Sequence, residues 1–265
     1  MDLPPPIPES EPSTAAPRPP ATSVAARMLN VFATPGAVFE EVKTARASVA
    51  NWLVPIVVYG LVTAMASVLI LSQPVFVQKM RDQQEKVFEA QVKAGKMTRE
   101  QADKAMETVE KFSGPIAKIG GAIGGFSMGF VAVFWWAFLM WLIGRSILKA
   151  RLDFMKVVEV AGLASLISAL ESLIRMLLVF GLNNPLASPS LGLLMKDPDP
   201  KDSLFALLSV VNIMTFWVLV VRSIGLARLA GVPLGRTVVW LLGAWAIQTS
   251  LLIALSAVAQ KAYGG

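Results

Sequence analysis

Five apolar runs, 51–72, 119–144, 157–180, 204–221 and 238–259, constrain this chain more than any other feature, each being 18 to 26 residues long. At about 1.5 Å rise per residue, such lengths match a hydrocarbon layer about 30 Å thick, the longer runs with tilt. Lipid offers backbone amides no hydrogen-bond partners, so spanning segments of this kind must be helical. The fold class that follows is all-α, a polytopic transmembrane helix bundle of about five spans.

The rest of the composition narrows the function. Apolar residues make up 55% of the chain and charged residues only 16%, against about 45–50% apolar in soluble domains. Most of the charges sit in tails and loops, outside the apolar runs. There is no cysteine and no histidine, which removes disulfides, thiolate nucleophiles, imidazole bases and the usual zinc ligands together. No enzyme activity, cofactor or metal site is expected. The net charge of +6 comes without a compact basic patch interleaved with aromatics, so nucleic acid is not an expected partner.

Residues 1–23 hold eight prolines and no apolar core of a signal peptide, so they read as a disordered Pro-rich tail. Residues 24–50 read as amphipathic juxtamembrane helices. Thr34-Pro35 has the form of an N-cap followed by proline at the first helical position. Val38, Phe39, Val42 and Ala45 then share one face, opposite Glu40, Glu41 and Lys43, and the helix is expected to lie along the membrane surface. Met28, Leu29, Val31 and Phe32 suggest a similar preceding segment. The membrane domain, 51–265, carries Trp52 and Trp141 near span ends as expected interface anchors.

Between spans one and two lies a polar insert, 73–115, with eight Lys/Arg and seven Asp/Glu. Asp82/Lys86, Glu89/Lys93, Glu100/Lys104 and Glu107/Lys111 are i,i+4 pairs with the acid first, the favourable order on a helix. Gly95 breaks the pattern, and Thr98 with Gln101 forms a capping box that starts a second helix. Its apolar stripe is Ala102, Ala105, Met106, Val109 and Phe112. The insert is predicted to be a polar helical hairpin.

Arg145, Lys149, Arg151 and Lys156 flank the second loop and Arg222, Arg228 and Arg236 the fourth, while the third has two lysines among three aspartates. Short cytoplasmic loops carry the basic excess, so the N-terminus is expected in the cytoplasm and the C-terminus outside. On this reading the basic hairpin lies outside, against the same rule.

Span three holds the main candidate site. Glu159, Gly162, Ser165, Ser168, Ser172 and Arg175 recur every three or four residues, with Glu171 beside them. Glu171 and Arg175 can pair within the helix, which reduces an insertion cost of about 2.5–3.5 kcal/mol per isolated charge. Asn212 in span four and Gln248 in span five could extend this seam. Such a seam serves either as structural glue or as a substrate or ion path. In span two, Gly121, Gly125 and Gly129 form a ridge on which another helix can pack closely.

The order of several short motifs resembles the YIP family, the Ypt/Rab-interacting membrane proteins, in its bacterial form. They are Thr34-Pro35-Gly36-Ala37-Val38-Phe39, then Trp52 to Pro55 opening span one, then Asp153-Phe154 leading to Ala161-Gly162. Asp202 ahead of Phe216-Trp217, and Gly225 to Ala227, complete the series. The resemblance implies a five-span domain with a cytoplasmic N-terminus, in a bacterial inner membrane, and no catalytic residues. Eukaryotic relatives act in vesicle traffic and bind prenylated Rab GTPases through acidic-Leu-x-Gly-Pro and Gly-Tyr signatures. This sequence lacks the first and has Leu163 at the tyrosine of the second, which argues against Rab-type GTPase binding here. The expected function is a non-enzymatic scaffold or adaptor in the lipid bilayer that associates with itself or other membrane proteins and affects membrane organisation or traffic. The rival is a small transporter or channel using the span-three seam.

Overall fold

The computed structural model describes residues 22–112, 114–196 and 202–263; most of the Pro-rich tail lies outside them. Ten α-helices follow one another among the described residues, and five are long and apolar enough to cross a bilayer. Two short helices come first, α1 (Val24–Ala33) and α2 (Pro35–Thr44), followed by the first span, α3 (Ala50–Leu71). A hairpin of α4 (Pro74–Lys93) and α5 (Arg99–Phe112) leads to the second span, α6 (Pro115–Leu142), which closes on a π-helical turn at Ile143–Ile147. The third span is α7 (Phe154–Gly181). A loop with a 3-10 turn and the short α8 (Ser203–Val210) precede the last two spans, α9 (Ile213–Ala230) and α10 (Leu234–Tyr263).

The bundle is built around α7. Its first half is buried on every side, from Val157 through Ile167, because α3, α6 and α9 pack against it and α1 and α2 cover its start. Asp153 caps this helix, its carboxylate accepting from the Met155 N–H at 2.7 Å. Gly162 allows α3 to come close: a Cβ there would stand 2.5 Å from the Trp52 Cα. At the far end, α9 stops at Gly231, whose φ of 67° is the left-handed conformation that glycine adopts without penalty.

The hairpin forms with the predicted local chemistry. Thr98 N–H donates to Gln101 Oε1 at 2.9 Å and Gln101 N–H to Thr98 Oγ1 at 3.2 Å, closing the capping box. Of the four i,i+4 pairs, Glu100–Lys104 and Glu107–Lys111 close at 2.8 Å each.

Four expectations need correction. The fourth span is not 204–221. That run is divided: Ser203–Val210 is a separate helix, Val211 and Asn212 leave helical geometry, and the span proper is α9. Arg222 therefore lies inside span four, 5% exposed, and not in a loop. The second correction concerns α2, which does not spend its apolar face on the membrane surface. Val38, Phe39 and Val42 are buried in the protein core together with Val31 of α1, because α2 packs against α9 and α7. The Thr34 side chain, third, does not cap α2; its hydroxyl donates backward to the Asn30 carbonyl at 3.3 Å. Finally, Trp52 is no interface anchor, since its ring packs edge-on to Phe134 at 5.6 Å and its indole nitrogen is buried. Trp141 does stand at the end of α6, with the Arg145 guanidinium 5.3 Å above its ring.

Candidate functional site

The polar face of α7 serves two separate clusters. Near the start of the helix, Glu159 is 1% exposed and accepts from Asn51 Nδ2 at 2.6 Å. Asn51, fully buried at the start of α3, accepts in turn from Arg27 Nη1 at 3.1 Å. Arg27 Nε reaches Glu41 at 3.1 Å, and the Thr22 hydroxyl also donates to Glu41. Lys156 Nζ stands 3.2 Å from the second Glu159 oxygen, close enough to balance its charge though not aligned as a hydrogen bond. It donates to the Val42 carbonyl at 2.7 Å. This chain of charges links α1, α2, α3 and α7, and each member's charge or polar atom is met, as burial requires. At its outer edge the Thr22 hydrogen bond, and then Arg27, hold the Glu41 carboxyl below the usual range against a raising contribution from partial burial.

Further along α7 lies a half-open cleft of about 240 Å³ between the spans. Tyr59 of α3, Trp136 of α6, Ser168 and Glu171 of α7, Arg222 of α9 and Gln248 of α10 all face it. Glu171 Oε1 accepts from Asn212 Nδ2 at 2.5 Å. Asn212 is the N-cap of α9, and its Oδ1 accepts from the Met214 N–H at 2.9 Å. The break ahead of span four thus brings the positive end of the α9 dipole beside a carboxylate, which favours the charge there. Across the cleft, Arg222 stacks over Trp136, its guanidinium carbon 4.5 Å from the ring centre. Such a desolvated cation–π contact is worth about 2 kcal/mol.

Of the seam residues singled out from the sequence, Ser165, Ser168, Glu171 and Gln248 line the cleft, Asn212 supports it through Glu171, and Glu159 belongs to the first cluster. Ser172 turns back to the Ser168 carbonyl at 3.0 Å. Arg175 is exposed, and among the described residues no ion pair joins it to Glu171; the partner of Glu171 is Asn212. Arg222 and Tyr59 were missed. The signal for Arg222 was available: Arg228, Gly231 and Pro233 read together as a helix stop, which moves the span C-terminally past Arg222.

The glycine ridge of α6 faces α3. A Cβ on Gly121 would meet Leu71 Cδ1 at 2.7 Å, on Gly125 the Thr63 carbonyl oxygen at 3.2 Å, and on Gly129 the Tyr59 ring at 3.3 Å. Thr63 Oγ1 also donates to the Gly125 carbonyl at 2.9 Å. Gly120 and Gly124, on the other face, have nothing within 4 Å. Among the described residues no group of three Asp or Glu side chains could hold a metal ion.

The model of the Yip1 domain matches residues 29–255, from α1 to near the end of α10. The chain belongs to the Yip1 family. No curated protein and no solved structure matches it significantly. The Yip1 match covers the cleft, the hairpin between spans one and two, and the first cluster except Thr22 and Arg27.

Proposed function

We propose that this Yip1-family chain is a non-enzymatic integral membrane scaffold that associates with itself or with other membrane proteins and so affects membrane organisation or traffic. The supporting observation is α10. This helix packs along α9, through the Phe216–Trp245 ring contact at 5.4 Å and the Thr237 hydroxyl bonded to the Ser223 carbonyl at 2.9 Å. Only 6% of its apolar span is buried within the protein, against 44% for α9. Ile247, Leu251, Leu252 and Leu255 are all more than half exposed. A span held on one side offers its remaining flank to lipid or to another helix, where close packing is the main attraction.

The orientation proposed is that of the charge bias. Lys156 bonds to α2 and Arg228 stands 3.9 Å from Glu40, so the N-terminal helices share one end of the bundle with loops two and four. With that end cytoplasmic, in a bacterial inner membrane, the hairpin and the C-terminus lie outside.

Two differently tagged copies, co-expressed and solubilised in mild detergent, test the association: each should retrieve the other or a common membrane partner. Proteoliposomes test the rival class, and no solute flux is expected. Reproducible uptake that vanishes in Glu171→Gln at unchanged stability contradicts the scaffold reading and makes the chain a transporter.

A further inference from the structure

Arg222 sets a problem that the scaffold reading leaves unsolved. It is 5% exposed, its Nε is buried without a hydrogen-bond acceptor, and among the described residues no carboxylate lies within ion-pair distance of it. An arginine keeps its charge in any protein environment. Its direct contact is the Trp136 ring, and the ionisable groups Tyr59 and Glu171 act on it only across the cleft. A buried guanidinium held this way is costly, and the cleft in front of it supplies room for an acceptor.

The opposite wall has the complementary need. Glu171 spends one oxygen on Asn212. Its second oxygen accepts no hydrogen bond among the described residues, and the carboxylate does not pair directly with Arg222. A simple anion in the cleft would satisfy Arg222 and be repelled by Glu171. A ligand carrying an anion and an ammonium group together satisfies both walls.

The route of entry says where such a ligand comes from. The cleft walls run from α6 through α7 and α9 to α10. At the rim the two end helices are joined by Trp135 Nε1 donating to Gln248 Oε1 at 2.9 Å, and this contact is exposed. The cleft is half open and its walls are membrane-spanning helices, so its open side is placed toward lipid. The volume of about 240 Å³ equals roughly eight liquid waters, enough for a headgroup and too small for acyl chains, which would stay outside.

We propose that this cleft receives the headgroup of an amine-bearing zwitterionic phospholipid, its phosphate on Arg222 and its ammonium on Glu171, with the acyl chains leaving between α6 and α10. Arg222 then gains the charge-assisted hydrogen bonds its fork is shaped for. A quaternary ammonium headgroup, having no N–H, cannot donate to Glu171.

The test is thermal unfolding of the full chain, purified free of lipid, with phosphatidylethanolamine, phosphatidylcholine or water-soluble glycerophosphoethanolamine added. A ligand that binds only the folded state raises Tm. Phosphatidylethanolamine should raise it more than phosphatidylcholine, Arg222→Gln should lose the shift with both, and Glu171→Gln should lose the difference between them. An undiminished phosphatidylethanolamine shift in Arg222→Gln, no difference between the two lipids in the wild type, or an equal shift with the chain-free headgroup each overturns the proposal. If Arg222→Gln does not fold, a photoactivatable phosphatidylethanolamine on the wild type decides. Label should map to α7 and α9 beside Glu171 and Arg222, and label confined to other peptides overturns the assignment.

Discussion

One amide, that of Asn212, does two jobs: its oxygen caps α9 and its nitrogen holds Glu171. Asn212→Ala removes both. Loss of the cap alone costs about 0.5–2 kcal/mol, and the unmet carboxylate adds about 1–3 kcal/mol, so thermal stability in detergent should fall clearly. Arg175→Gln should change it by less than about 0.5 kcal/mol, because Arg175 is exposed and unpaired with Glu171. A double-mutant cycle should accordingly find stronger coupling between Glu171 and Asn212 than between Glu171 and Arg175, which acts on the carboxylate only at longer range. Asn51 is the corresponding joint of the other cluster. Asn51→Leu leaves Arg27 and Glu159 each short of a buried partner, and a loss of about 2–4 kcal/mol is expected. The i,i+4 spacing made a Glu171–Arg175 pair the natural sequence reading. What it could not supply was the bend at Val211 and Asn212, which brings a competing donor to the carboxylate from 41 residues away.

Among the elements, α6 provides its own control. Gly125→Leu drives a side chain into the Thr63 backbone of α3, which cannot move aside cheaply, so about 1–3 kcal/mol of stability should be lost. Gly124→Leu, one residue away with open space around it, should stay within about 0.5 kcal/mol of wild type. Equal effects from the two would mean that the ridge does not pack on α3. The α1–α2 contact carries a pH dependence. With its pKa lowered in the fold, Glu41 contributes stability above the unfolded carboxylate value near 4.5 and loses it as pH falls through the folded value. The effect is small, since the side chain is 43% exposed. Amide exchange in α1 should quicken in acid, and Thr22→Ala should move the midpoint upward. The elements legible in advance were those whose signals are local: apolar length for the spans, and Thr98 with Gln101 for the second hairpin helix. Apolar length alone misplaces the fourth span, because it runs across Asn212, a residue that prefers to start helices, and because Arg222 reads as an end.

For the molecule as a whole, the sequence was sufficient to place five helices in a bilayer and to read the polarity of its loops. It could not say which helices are neighbours. The cleft depends on that, since its charged walls, Glu171 and Arg222, come from different spans and meet only in the packed bundle. Orientation is open to a direct check: reporter fusions after Gly265 should read as extracytoplasmic, and fusions near Lys149 or Arg228 as cytoplasmic. A cytoplasmic C-terminus contradicts the proposed orientation. The claim of lateral association rests on the free flank of α10, and the absence of cysteine from the chain makes it directly measurable. Single cysteines placed at Ile247, Leu251, Leu255 and Leu241 can be treated with a short thiol-reactive crosslinker in native membranes. Adducts with a second copy or another membrane protein are expected at the three exposed positions and none at Leu241, which is fully buried. A chain that stays uncrosslinked at all three exposed positions, while a thiol probe shows them accessible, contradicts it.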